Sequence, residues 1–207
     1  MMKVLVITGG IGSGKSMVCG ILEDKYGIPV YKADKRAKEL YAEVPLLIES
    51  MEKALEVSLR NECGDFSPGM LAEVIFNDQE ALRLVEDMLF PVIKADFALW
   101  AEKYTDEEVV AFESATVLEK QQFNGFGDVV LLVNAPFALR LSRALERDKV
   151  DEGKVLSRMA CQPLMNRLSD GESDDRIDYV IQNDASASDL GEKLREFIEK
   201  HTLTKML

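Results

Sequence analysis

The chain has 207 residues, 47% of them hydrophobic and 30% charged, and 25 Lys+Arg against 37 Asp+Glu give a formal net charge of -12. That length suits one domain, or one domain with an inserted subdomain, and is enough for a full core. The acidic balance argues against nucleic acid as a partner, since such proteins carry a basic stripe, and apolar runs such as 129–133 are too short to span a membrane.

In chain order, residues 3–8 form a short β-rich run that ends in glycine, and 15–26 has helical spacing (Val18, Ile21, Leu22) up to a stop at Gly27. The opening "MMKVLVI" is too short for a signal peptide, so a cytoplasmic location is expected. Residues 28–31 read as a second strand and 34–43 as a charged helix. Pro45 opens another helix, apolar at Leu46, Leu47, Met51 and Leu55. Ser67 is a cap with Pro68 at the first helical position, and that helix should stop near Asn77. Two helices, 78–89 and 91–104, are expected to follow. Strands are expected at 108–114 and 128–135, the latter almost wholly apolar, as strands buried on both faces are. Helices at 136–147 and 151–161, a strand at 178–184 and a last helix capped by Ser188 complete the chain.

Strands alternating with helices predict a parallel sheet covered on both sides. The helical block 45–104 interrupts it between the second and third strands. The expected class is a three-layer α/β/α fold, and the "TGGIGSGKS" stretch at 8–16 makes it P-loop NTPase-type. Its core is 1–44 and 105–207 around a five-stranded parallel sheet, with a helical insertion at 45–104 and lid helices at about 137–162. Three cysteines, Cys19, Cys63 and Cys161, lie too far apart for a C-x-x-C pair, so neither a disulfide framework nor a zinc site is expected. Cys19 and Cys161 fall on predicted helices, where a buried thiol is the usual case. The one histidine, His201, gives little to a triad or a metal site.

"TGGIGSGKS" at 8–16 satisfies G-x-x-x-x-G-K-[ST] through Gly9, Gly14, Lys15 and Ser16, and it stands between a strand and an amphipathic helix. Glycines let the backbone curl around an anion with its N–H groups inward, and the helix N-terminus adds partial positive charge. Lys15 then reaches the β- and γ-phosphates of ATP, and the Ser16 hydroxyl is the candidate Mg²⁺ ligand. The ATP-binding segment is Gly9, Gly10, Ile11, Gly12, Ser13, Gly14, Lys15, Ser16 and Met17. N-K-x-D, which a GTPase uses for guanine, is absent.

Asp34 follows the second strand, and strand ends line the ligand crevice of a parallel sheet. It is read as the group that orients a substrate hydroxyl, with the helix N-cap as the alternative. Lys32, two residues earlier, would face the same side on an extended strand, where it would hold Asp34 ionised or pair with a substrate phosphate. In "LRLSRALERDK", Arg140, Arg143 and Arg147 share one helix face where small P-loop kinases put a lid. Arginines there neutralise charge on the transferring phosphoryl group. Arg140 alone reads better as a solvated residue beside Glu146 and Asp148. Asn183 follows the last strand, where P-loop kinases place the base-binding loop, and it or its neighbour Asp184 is the candidate for adenine.

Taken together, the ordered set resembles the dephospho-CoA kinase family over about 3–199. It comprises residues 8–16, Asp34, "ATVLE" at 115–119, Arg143 with Arg147–Asp148, Gln162, and "DYVIQN" at 178–183. The resemblance implies transfer of the ATP γ-phosphate to the ribose 3′-hydroxyl of dephospho-CoA, with Asp34, Lys15 and Arg147 catalytic. It implies Arg143 and Asn183 at ATP, Lys32, Glu119 and Gln162 at the substrate, and the helical block as substrate domain. The substrates are then ATP and dephospho-CoA, with no nucleic acid and no membrane, in a monomer or weak homo-oligomer. The chain departs from the family pattern at Lys32, where an acid is usual, at Ala115, where a proline is usual, and at Phe90, where a histidine is usual. A nucleotide-binding protein of the same fold with weak activity, or a kinase for another small metabolite, stays open at this point.

Overall fold

The computed structural model describes residues 2–201 and 203, and at Asn77 the backbone alone. In chain order the main elements are β1 (Lys3–Thr8), α1 (Lys15–Tyr26), β2 (Val30–Lys32), α2 (Ala33–Glu43), α3 (Pro45–Leu55), α4 (Pro68–Asn77), α5 (Gln79–Ala101), β3 (Val109–Glu113), β4 (Val129–Asn134), α6 (Phe137–Asp148), α7 (Glu152–Ala160), α8 (Pro163–Ser169), β5 (Tyr179–Gln182) and α9 (Ala187–His201). They fall into two compact units, Met1–Lys32 with Tyr104–Leu207, and Ala33–Lys103. Helix α2 belongs with the second unit, which therefore begins before the insertion start read at residue 45. Among the described residues no helix is long and apolar enough to cross a membrane.

The first unit holds five parallel strands in the order β2-β3-β1-β4-β5. Alternate side chains point to opposite faces of a strand, and here both faces are covered. Leu5 and Ile7 of β1, with Val109 of β3, Leu131 and Val133 of β4 and Ile181 of β5, pack on Val18 and Leu22 of α1 and on Leu190, Leu194 and Phe197 of α9. On the other face Phe112 stacks on Tyr31 at 5.6 Å and meets Phe126 edge-on at 4.7 Å. Strands covered on both sides carry near-continuous apolar runs, which is why "VVLLVN" leaves so little exposed.

Local signals place most of the ends. Gly27 stops α1 in the left-handed conformation, φ 63, as its position after the apolar stripe indicated. The last helix differs from its reading: it starts at Ala187, and the Asp189 N–H donates to the Ser186 hydroxyl, so Ser186 and not Ser188 caps it. Helix α8 was not anticipated, because seven residues are too few for periodicity to show; Pro163 at its first position was its one signal. Cys19 is buried in the core, and burial pushes its thiol up to about 12. Cys161 is exposed, because it lies just past the end of α7 and off its apolar stripe.

In the second unit α5 packs against α2, α3 and α4. The Ser67 hydroxyl accepts from the Met70 N–H and caps α4, with Pro68 next. Asp78 caps α5 through the N–H groups of Glu80 and Ala81. Arg36 of α2 forks onto Asp96 of α5 at 2.9 and 2.8 Å and also meets Glu43. These carboxylates hold its guanidinium above the ordinary value, Asp96 first.

The expected break between two helices at Phe90 is absent: α5 runs unbroken for 23 residues with Pro91 inside it. Pro91 has no N–H for the carbonyl four residues before it, at a cost of about 3 kcal/mol. The buried stripe Val85, Leu89, Phe90, Ile93 and Phe97 crosses the proline without interruption, and each such side chain contributes roughly 1.5–3 kcal/mol. Burial therefore outweighs the missing bond. Pro91 itself is exposed, so Pro91→Ala should restore the ladder without disturbing the core. It is expected to stabilise the protein by about 1–3 kcal/mol, read from the urea midpoint; a lower midpoint would contradict this account of α5.

Candidate phosphate-binding site

Strand β1 leaves the sheet at Thr8, and after the six residues 9–14 the chain enters α1 at Lys15. Gly14, at the α1 N-cap, has φ 102, and a Cβ there would sit 2.0 Å from the Asn183 amide nitrogen. Gly12 has φ 77, and its Cβ would lie 2.1 Å from the Arg140 carbonyl oxygen. Both positions therefore need glycine twice over, for the backbone angle and for the close approach behind it. The Ser13 N–H donates to the Gly10 carbonyl at 3.1 Å and closes the turn. No acid stands in the first turn of α1, so no side-chain carboxylate offsets its positive end there. The hydroxyls of Thr8 and Ser13 are buried with no hydrogen-bond partner. Orphaned donors beside glycine amides and a helix N-terminus are the chemistry that takes a phosphate. Ser16 is exposed in the same first turn, a hard oxygen donor of the kind Mg²⁺ prefers.

Three buried side chains hold this loop from behind. The Ile11 N–H donates to Gln162 Oε1 at 2.9 Å, Arg140 Nε donates to the Ile11 carbonyl at 3.0 Å, and Asn183 Nδ2 donates to the Ser13 carbonyl at 2.8 Å. Arg143 Nη1 in turn donates to the Asn183 carbonyl at 2.9 Å. Arg140 corrects the reading as a solvated residue: it is 0% exposed, because α6 lies with that side chain under the loop. Gln162 and Asn183 are each 5% exposed, and their amides are spent on the loop backbone rather than turned outward.

Lys15 Nζ donates to the Gly9 carbonyl at 2.8 Å and lies 3.9 Å from Glu113 Oε1. Glu113, which ends β3, is not among the sequence candidates, although the strand-end logic that points to Asp34 just after the second strand finds it when applied to every strand. Lys32, in register with Glu113 on β2, pairs with Glu23 of α1 at 2.9 Å, and that bond holds its ammonium above the ordinary value. Asp34 is the second residue of α2 and is exposed. The two-residue alternation invoked for Lys32 and Asp34 thus fails, because the strand ends at Lys32.

Burial pushes the Glu119 carboxyl up, while the N–H groups of Met165 and Leu164 draw it down. It lies near the start of α8, the helix that carries Met165, Asn166 and Ser169, all partners of Arg140. On α6, Arg147 is 58% exposed on its side chain and forks onto Asp148 at 2.6 and 3.0 Å; Arg158 of α7 adds a bond at 2.8 Å. The two arginines, Arg147 first, hold Asp148 well below the usual carboxylate range.

Asn183→Ala removes the donor to a buried carbonyl, which costs about 1–3 kcal/mol. A lower urea midpoint is expected, with discrimination between ATP and GTP unchanged. An unchanged midpoint with altered base discrimination would return Asn183 to the adenine.

A profile of the dephospho-CoA kinase family matches residues 3–189. The dephospho-CoA kinase of Salinibacter ruber is 32% identical over 196 residues, covering 94% of this chain and 96% of that protein. The one from Porphyromonas gingivalis is 35% identical over 176 residues, covering 85% of each. In fold, a Thermus thermophilus crystal structure superposes with a TM-score of 0.80 at 24% identity, covering 97% of both chains. The dephospho-CoA kinase of Campylobacter jejuni gives 0.61 at 21% identity, over 97% of this chain and 98% of that one. With a glycine loop closed over orphaned donors and a family match across nearly its whole length, this chain belongs to the dephospho-CoA kinase family.

Proposed function

We propose that this chain transfers the γ-phosphate of ATP to the ribose 3′-hydroxyl of dephospho-CoA, giving coenzyme A and ADP. The observation that carries the reading is the loop 9–14, which joins buried, unpartnered hydroxyls to the open end of α1 in a member of this family. Phosphoryl transfer asks little covalent chemistry of a protein, so the work is positioning and charge stabilisation. Lys15 trades its carbonyl and Glu113 contacts for the β- and γ-phosphate oxygens, while the loop N–H groups hold the β-phosphate. The Ser16 hydroxyl would hold Mg²⁺, which bound with the nucleotide would supply positive charge against the phosphate oxygens.

Asp34 aims the ribose hydroxyl by accepting its hydrogen bond. Arg147 and Arg143 face the charge that develops on the transferring group. Lys32, exposed at the end of β2, exchanges Glu23 for a substrate phosphate. Glu119 and Gln162 serve the substrate, Gln162 indirectly through the loop that it holds. The enzyme works as a monomer or weak homo-oligomer in the cytoplasm, without nucleic acid or membrane.

The test is ATP consumption with dephospho-CoA, with adenosine, nucleoside monophosphates and shikimate as controls, and the mass of the product. Transfer to dephospho-CoA alone is expected; transfer to a control but not to dephospho-CoA would contradict the reading. Lys15→Ala should keep the fold and lose 10²–10³-fold in turnover, about 3–4 kcal/mol of barrier for one lost electrostatic donor. Turnover near wild type would remove the phosphate role of the loop. Asp34→Asn should bind ATP as before and lose most of its turnover, read by calorimetry and single-turnover kinetics side by side; normal turnover would take the orienting role away from Asp34.

A further inference from the structure

We infer that Arg140 is a positioning residue for the nucleotide: a buried cation beneath residues 10–12 that raises the positive potential of the phosphate cradle from behind. The inference rests on the nucleotide reading above and adds a residue that the lid pattern does not include.

The geometry makes the placement unusual. Arg140 is 0% exposed, the largest fully buried side chain among the described residues. Its guanidinium donates to the Ile11 carbonyl at 3.0 Å, the Met165 carbonyl at 3.1 Å, the Ser169 hydroxyl, and Asn166 Oδ1 at 3.3 Å. All four acceptors are neutral. Among the described residues no carboxylate pairs with it, and Asp170 is the acid that acts on it from a distance. The guanidinium lies so close to the loop that a Cβ on Gly10 would fall 2.0 Å from Nη2.

Burying a charge without an opposite charge is unfavourable. Burial does pull this guanidinium down from its ordinary value, but an arginine's ordinary value lies so far above neutrality that it stays protonated at neutral pH. A brace alone has no need of that charge, since a neutral amide such as Gln162 already holds the same residue, Ile11, at 2.9 Å. The cation has a use if its missing counter-charge arrives on the other side of the glycine backbone. A polyphosphate is that counter-charge. The need is sharper here than in a neutral protein, because the net charge of -12 opposes the approach of an anion. Field through one layer of glycine backbone is little screened, since the site is buried on the arginine side.

The experiment separates the charge from the brace. Arg140→Lys and Arg140→Gln both lose the four-bond fork, but only the second loses the charge. Each is checked for fold by circular dichroism and then titrated with ATP in a calorimeter. Arg140→Gln should bind ATP at least tenfold more weakly than wild type, and Arg140→Lys should recover most of that loss. Ser169→Asp, which sets a carboxylate on Nη1 and leaves Arg140 in place, should also weaken ATP binding. It decides the question if the Arg140 variants do not fold. Equal affinities for the lysine and glutamine variants, whether both weak or both near wild type, or an unaltered affinity in Ser169→Asp, would overturn the inference. A wild type that binds no ATP would instead remove the nucleotide reading on which it stands.

Discussion

A loop built largely of glycine does not keep its own shape, and the hydrogen bonds that reach it from Arg140, Gln162 and Asn183 are what the rest of the site depends on. Glycine gives up more conformational freedom on folding than any other residue, so a glycine cradle that is ready for its ligand must be fixed from outside. Here the fixing groups come from α6, from the residue ahead of α8 and from the end of β5, all far along the chain from the loop. The same contacts explain the glycines. Side chains at 10, 12 and 14 would run into Arg140 or Asn183 at about the length of a covalent bond and a half. Glycine at these positions is thus as much a consequence of what lies behind the loop as of the phosphate expected in front of it.

An acidic protein that binds a polyanion has to gather its positive groups in one place. The gathering is done by elements whose order along the sheet brings them together: the start of α1, the side chain of Lys15, and the arginines of α6. Some cations elsewhere are committed to carboxylates. Arg36 is shared between Asp96 and Glu43, and Arg176 forks onto Asp174 while one nitrogen donates to the Leu118 carbonyl. Among the described residues, Arg140 beneath the phosphate loop is held by neutral acceptors alone.

Much of this was legible in the sequence, and the rest was not for physical reasons. The strands, the five-stranded parallel sheet, the Gly27 stop and the Ser67–Pro68 start follow from local chemistry that a few neighbouring residues determine. The glycine loop was legible because its motif and its flanking elements agree. Arg140 was not, because an arginine at i, i+3, i+7 spacing with two others looks solvated until the tertiary packing buries it. Helix α8 was too short for its period to show. The α5 proline misled because a helix break is the usual local outcome, and only a stripe of buried side chains on both sides of it decides otherwise. The supposed partnership of Lys32 with Asp34 failed on a boundary, since one residue separates an alternating strand from a helix turn.

The central claim is that the cradle is already formed before nucleotide arrives. Amide hydrogen exchange at Ile11, followed by NMR in the nucleotide-free protein, tests it most directly, because that N–H is held by the buried Gln162 side chain and by no helix or strand. Slow exchange at Ile11, far below the rate of an unstructured peptide, is the expected result. Exchange at the rate of an unstructured peptide, becoming slow only after ATP is added, would contradict it and make the loop a structure that its ligand builds.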